Sequence, residues 1–131
     1  MILDSSAVCA VAFDEPQGAA VLERIEAAEH LRMSAATMVE LAAVLARSGR
    51  PEVGRRAERL LAAWDVDIVP FDAAQVQVAS QAYREYGRGS GHRAALNLGD
   101  CYAYALSATA GEPLLFVGDD FPHTDVEVAL R

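Results

Sequence analysis

Pro113-Leu114-Leu115-Phe116-Val117-Gly118-Asp119-Asp120-Phe121 reads as a short buried strand that ends at a glycine and two acids. Its apolar run is strand-length, and Pro113 and Gly118 punctuate it on either side. The opening of the chain, Met1-Ile2-Leu3-Asp4, has the same layout: an apolar run and then a carboxylate. Short strands alternating with one or two helices predict an α/β fold with a parallel sheet between helices. In such sheets, sites form beyond the carboxyl ends of the strands, and Asp4 and Asp119 fall at ends of that kind.

The intervening sequence supplies the helices. Ser5 and Ser6 offer N-caps for a helix carrying Val8, Val11 and Ala12 inward. Pro16 suits the first turn of a second helix, with Ala19, Ala20, Leu22 and Ile25 on its apolar face. A strand is expected over 30–33. Ser34 then caps a helix that stops before Gly49 and Pro51, and Pro51 opens the next, with Val53, Ala57, Leu60, Leu61 and Trp64 as its stripe. A strand over 66–70 leads to a helix capped by Asp72 and reaching Tyr86, with Val76, Ala79 and Tyr83 inward. Residues 87–91 hold three glycines and form a loop, 99–110 form the last helix, and 126–130 form a last short strand.

With 131 residues, 53% of them hydrophobic, one domain spanning 1–131 can build a core. No basic leader or membrane-length apolar run is present, so a cytoplasmic location is expected. Cys9 and Cys101 lack metal-site spacing and read as buried thiols rather than a disulfide. The net charge is −8, and all basic residues are arginine. Such a chain fits poorly with non-specific coating of DNA, which works by neutralising phosphates, but it remains compatible with an enzyme acting on nucleic acid.

Four widely spaced carboxylates stand out. Asp4 closes the first strand, and Glu40 interrupts a helix between Ala36, Thr37, Ala43 and Val44. Asp100 opens the last helix, and Asp119 and Asp120 close the last internal strand. Taken singly, each has an ordinary reading: a turn acid, a solvent-facing glutamate, or an acid favoured by a helix N-terminus. Adjacent Asp119 and Asp120 point apart, so at most one faces the others. Converging acids repel one another and call for a cation.

Asp4-Ser5-Ser6-Ala7, Glu40 in the third helix, Leu96-Asn97-Leu98-Gly99-Asp100-Cys101-Tyr102-Ala103-Tyr104-Ala105-Leu106 and the stretch from Pro113 to Phe121 together resemble the PIN domain. More narrowly, they resemble the VapC toxins of bacterial type II toxin–antitoxin systems. The resemblance implies a three-layer sandwich around a parallel sheet of four to five strands. It also implies an endoribonuclease dependent on Mg²⁺, with Mn²⁺ able to substitute. The family's acids map to Asp4, Glu40, Asp100 and Asp119 as metal-binding and catalytic residues, and its hydroxyl to Ser6. A Thr-x-Asp form of the last motif would instead put Gly118 at the fourth place. A VapB-like antitoxin, an RNA substrate and a homodimer are the partners implied.

Such chemistry needs hard oxygen ligands and leaves coordination places for water and phosphate. Arg88, His92 and Arg93, on the glycine-rich loop before Asp100, are candidates for RNA contact. Arg47, Arg50, Arg55, Arg56 and Arg59 form either a solvated helix face with partners such as Glu52 and Glu58 or a binding surface for RNA or antitoxin. A response-regulator receiver is excluded, because it needs a lysine and this chain has none. A haloacid-dehalogenase-type phosphatase wants Asp-x-Asp, and Ser6 holds the second place. A non-catalytic PIN-like RNA-binding protein and a DNA-directed nuclease of the same fold are the remaining alternatives.

Overall fold

Four parallel strands form the centre of the computed structural model, which describes residues 1–130. In chain order they are β1 (Ile2–Leu3), β2 (Arg32–Ser34), β3 (Asp67–Val69) and β4 (Leu114–Leu115), laid side by side as β3-β2-β1-β4. Ile2 pairs with both Arg32 and Leu114, Leu3 with Leu115, and Ser34 with Val69. The crossovers are six helices: α1 (Ser5–Ala12), α2 (Gly18–Glu26), α3 (Ala35–Arg47), α4 (Pro51–Ala63), α5 (Ala73–Tyr86) and α6 (Leu98–Ala110).

Side chains alternate across a strand, and this divides the core in two. Leu3 and Leu115 pack on one face with Val8, Val11, Val21, Ile25, Met33, Leu41 and Val53, under α1 to α4. Ile2 and Leu114 pack on the other with Ala79, Ala82, Leu96, Ala103, Leu106 and Phe116, under α5 and α6. β1 and β4 are covered on both sides, which is why their sequences are continuously apolar. The three layers expected of the α/β sandwich are present.

Several local expectations shift. Asp4, not Ser5 or Ser6, caps α1: its carboxylate accepts from the Ser6 N–H. Helix α2 begins at Gly18, after Pro16, and buries Gly18, Val21 and Ile25 while Ala19 and Ala20 are exposed. A side chain at Gly18 would collide with the Ala10 carbonyl, so the start of α2 lies directly on α1. The second strand sits at 32–34, displaced toward its helix. Helix α5 turns Gln75, Ala79, Ala82 and Tyr86 inward, at i, i+4, i+7 and i+11, and leaves Val76 and Tyr83 exposed. The apolar residues misled there because Gln75 is buried as a donor to the Pro70 carbonyl. The strand expected over 126–130 reduces to one parallel bridge, Leu114 with Val128.

Two cap side chains match the sequence reading: Ser34 accepts from the Ala36 N–H and Asp72 from the Gln75 N–H. Asn97 caps α6 in the same way, accepting from the Asp100 N–H. Each satisfies a backbone donor that a helix start would otherwise leave open. No described helix is long and apolar enough to cross a membrane.

Candidate active site

The carboxyl end of β1 delivers Asp4 to a cleft of about 160 Å³ that is also lined by Ser6, Glu40, Asp100 and Asp120. Among the described residues, no basic side chain lines it. Asp4 is 3% exposed and Asp100 8%.

Asp4 is held by its own helix. Its Oδ2 accepts from the Ser6 N–H at 3.1 Å and from the Ser6 hydroxyl at 2.6 Å. The same Ser6 oxygen accepts from the Val117 N–H at 3.0 Å, just beyond β4. One hydroxyl thus ties the first acid to the end of the neighbouring strand, using its donor and one acceptor position at once. Asp4 Oδ1 is buried and has no hydrogen-bond partner.

Asp100 is held by a reciprocal cap at the start of α6. Its Oδ2 accepts from the Asn97 N–H at 2.9 Å, and the Asn97 side chain accepts from the Asp100 N–H at 2.8 Å. This capping box satisfies two backbone donors and fixes the Asp100 rotamer. Glu40, half-buried on α3, accepts the Ser5 hydroxyl on Oε1 at 2.9 Å, and its Oε2 is buried without a partner. Each acid therefore commits one oxygen to the protein. Asp4 Oδ1, Glu40 Oε2 and Asp100 Oδ1 accept no hydrogen bond from the described residues.

Burial raises the pKa of Asp4, Glu40 and Asp100, because each carboxylate has left water. The negative charge of Asp4 adds to the rise at Glu40. Asp100 is pushed up to about 7 by burial first, against the lowering effect of the Asn97 N–H and with repulsion from Asp4, Asp120 and Glu40 adding to the rise. Unpartnered buried carboxylate oxygens are costly, and a hard divalent cation is the ligand whose chemistry matches them. Among the described residues, no three His, Cys, Asp or Glu side chains are gathered tightly enough to hold one ion by themselves. Mg²⁺ does not require this, since one or two carboxylates with water and substrate phosphate suffice.

The fourth acid is where geometry departs from expectation. Gly118, with φ +127, takes the chain out of line after β4. Asp120 then lines the acidic cleft, whereas Asp119 lines a separate apolar groove with Gln17 and Val21. The strand reading alone does not carry the chain past such a glycine.

The loop residues divide too. Arg88 and Arg93 are exposed and form no ion pair among the described residues. His92 is half-buried: its Nδ1 accepts from the Ala94 N–H, and its ring meets Tyr86 edge-on, with centroids 4.9 Å apart. It braces the loop. In the arginine-rich stretch, Arg50 pairs with Glu52, and Arg56 reaches Asp14 on another element. Ser5, Asn97 and Gly99 were not singled out as site residues by sequence. The one available signal was the spacing of Asn97 and Asp100, which fits a capping box.

The PIN domain family model matches residues 1–127. The chain is 50% identical over 129 residues to Ribonuclease VapC42 of Mycobacterium tuberculosis, covering 98% of each chain. It is 47% identical over 131 residues to Ribonuclease VapC30 of the same organism, covering 96% of this chain and 95% of the relative. The crystal structure of Mycobacterium tuberculosis VapC20, a sarcin-ricin loop cleaving toxin, superposes with a TM-score of 0.75 at 16% identity, over 99% of this chain and 98% of that one, and shows the shared fold. The chain belongs to the PIN domain family and, within it, to the VapC ribonucleases.

Proposed function

We propose that this protein hydrolyses phosphodiester bonds in RNA with Mg²⁺ or Mn²⁺ and acts as the toxin of a VapBC-like toxin–antitoxin pair. The observation that carries the reading is a cleft at the carboxyl end of a parallel sheet that buried acids line together, with no basic side chain among the described residues that line it. Asp4 and Asp100 are the principal metal ligands, and Glu40 and Asp120 hold waters or a second ion. Asp120 takes the place expected of Asp119, since Asp120 shares the cleft with the other acids. When bound, the ion lowers the pKa of a water and neutralises charge on the phosphate oxygens.

The protein's own groups perform the remaining work. Ser6 fixes the Asp4 carboxylate and braces it against the backbone at Val117. The Asn97 cap aims Asp100. Glu40, which also lines the cleft, supplies a buried oxygen. Arg88 and Arg93, exposed and unpaired among the described residues, are placed by this reading on the phosphate backbone of the RNA. His92 is left out of that role because its Nδ1 and ring are occupied within the loop.

Exposed Val39, Leu98, Ile68 and Val76 give apolar surface for a homodimer. An antitoxin tail reaching the cleft is the regulatory counterpart.

The test is an assay of purified protein on matched RNA and DNA oligonucleotides with Mn²⁺ and with EDTA. Cleavage of RNA only, abolished by EDTA, is expected. Cleavage of DNA would favour the DNA-directed alternative, and binding of RNA without cleavage would favour the non-catalytic one.

A further inference from the structure

Ser5 is the first residue of α1 and is 5% exposed. The Asp4 cap fixes its backbone, and its hydroxyl donates across the cleft to Glu40 Oε1 at 2.9 Å. Glu40 needs such a partner. It enters the cleft on a long side chain and meets Asp4 and Asp100, both acids. Arg47, the positive charge that favours it, lines only the neighbouring groove, which Glu40 borders as well, and does not reach the cleft. Electrostatics alone would turn the carboxylate out of the cleft, toward Arg47 and water.

Gly99 works on the same group from the other side. A Cβ at this position would collide with the Glu40 carboxylate. Helix α6 therefore admits Glu40 only because its second residue has no side chain. A glycine inside a helix costs about 1 kcal/mol relative to alanine, so its presence in this first turn is explained by clearance rather than by helix propensity.

We infer that Ser5 is a positioning residue for Glu40, with Gly99 providing the space into which Ser5 draws it. The inference rests on the reading of Glu40 as part of a metal-dependent ribonuclease site. The Ser5 hydroxyl is committed to Glu40, so its effect passes through that carboxylate. Groups of this kind typically change metal affinity or activity by about 10–100-fold when removed.

The experiment compares wild type, Ser5→Ala and Ser5→Thr by crystal structure, Mn²⁺ calorimetry and steady-state RNA cleavage. Ser5→Ala is expected to release Glu40 from the cleft, weaken Mn²⁺ binding about tenfold, and lower kcat with KM for RNA unchanged. Ser5→Thr keeps the hydroxyl and is expected to restore all three. Gly99→Ala is expected to expel Glu40 even with Ser5 intact. In a Glu40→Ala background, Ser5→Ala should change Mn²⁺ affinity no further, since the group it acts through is gone. Glu40 unmoved in the Ser5→Ala crystal, or an equal loss of Mn²⁺ affinity with Glu40 already absent, overturns the inference. A wild-type protein that neither binds Mn²⁺ nor cuts RNA defeats the functional reading instead, and the position of Glu40 in the two crystals still decides the role of Ser5.

Discussion

Acids occur in two contrasting settings in this molecule. Asp14, at the end of α1, is exposed and grips Arg56 through two hydrogen bonds, 2.6 and 2.9 Å long. Asp4, the N-cap of the same helix, is buried, and no basic side chain among the described residues lines its cleft. The Arg56 guanidinium holds Asp14 below the ordinary carboxylate range, while burial pushes Asp4, Glu40 and Asp100 above it. A paired surface acid has its counter-charge within the fold, whereas the buried acids have none among the described residues that line their cleft. The contrast sets the proposed site carboxylates apart from a surface ion pair by burial and charge alone.

The largest expected effect comes from removing a cleft acid. Asp4→Asn or Asp100→Asn is expected to lower RNA cleavage by about 100-fold or more while leaving the circular dichroism spectrum native; Asp14→Asn is expected to cleave normally. Equal loss in all three variants would erase the distinction. Next is the ion itself. Mn²⁺ at about a hundredfold excess over its Kd should raise Tm by roughly 10 °C near neutral pH, reversibly with EDTA, because a ligand of the folded state alone stabilises it. The rise should shrink in Asp100→Asn and persist in Asp14→Asn.

The pH dependence of the metal-free protein has opposite signs in the two regions. Asp100 has a folded pKa of about 7 against an ordinary 3.8. Its contribution is fully present below the unfolded value and is lost as pH rises through about 7. Urea unfolding should therefore show the metal-free protein losing stability, on the order of 2 kcal/mol, between about pH 5 and about pH 8. Asp100→Asn should flatten that slope. Asp14, with its pKa lowered, contributes above the ordinary carboxylate range and loses that contribution as pH falls through its folded value. The smallest effect belongs to the pair on the surface: Arg56→Ala should shift Tm by about 1 °C or less, since exposed ion pairs contribute little.

Much of this arrangement could be read from the chain. β1 and β4 were visible as apolar runs because both faces of each are buried, and Ser34, Asp72 and the glycine-rich loop announced their elements through turn and cap chemistry. The acids Asp4, Glu40 and Asp100 could be named because a carboxylate amid apolar residues is costly without a purpose. What could not be read depended on orientation. The inward face of α5 is set by a buried glutamine, which hydropathy counts as exterior. The choice between Asp119 and Asp120 turns on the φ of Gly118. Ser5 looked like a second capping residue, and only its distance to a helix 35 positions later reveals its partner.

Asp4 Oδ2 already accepts two hydrogen bonds, from the Ser6 N–H and from its hydroxyl, so on the proposed reading Asp4 would offer an ion its other oxygen alone. Ca²⁺ is a large ion that accepts six to eight ligands, often through two-pronged carboxylates, whereas Mg²⁺ is small and octahedral. On that reading, the two bonds that orient Asp4 would also act as a gauge of ionic radius, since a carboxylate limited to one prong suits the smaller cation better than calcium.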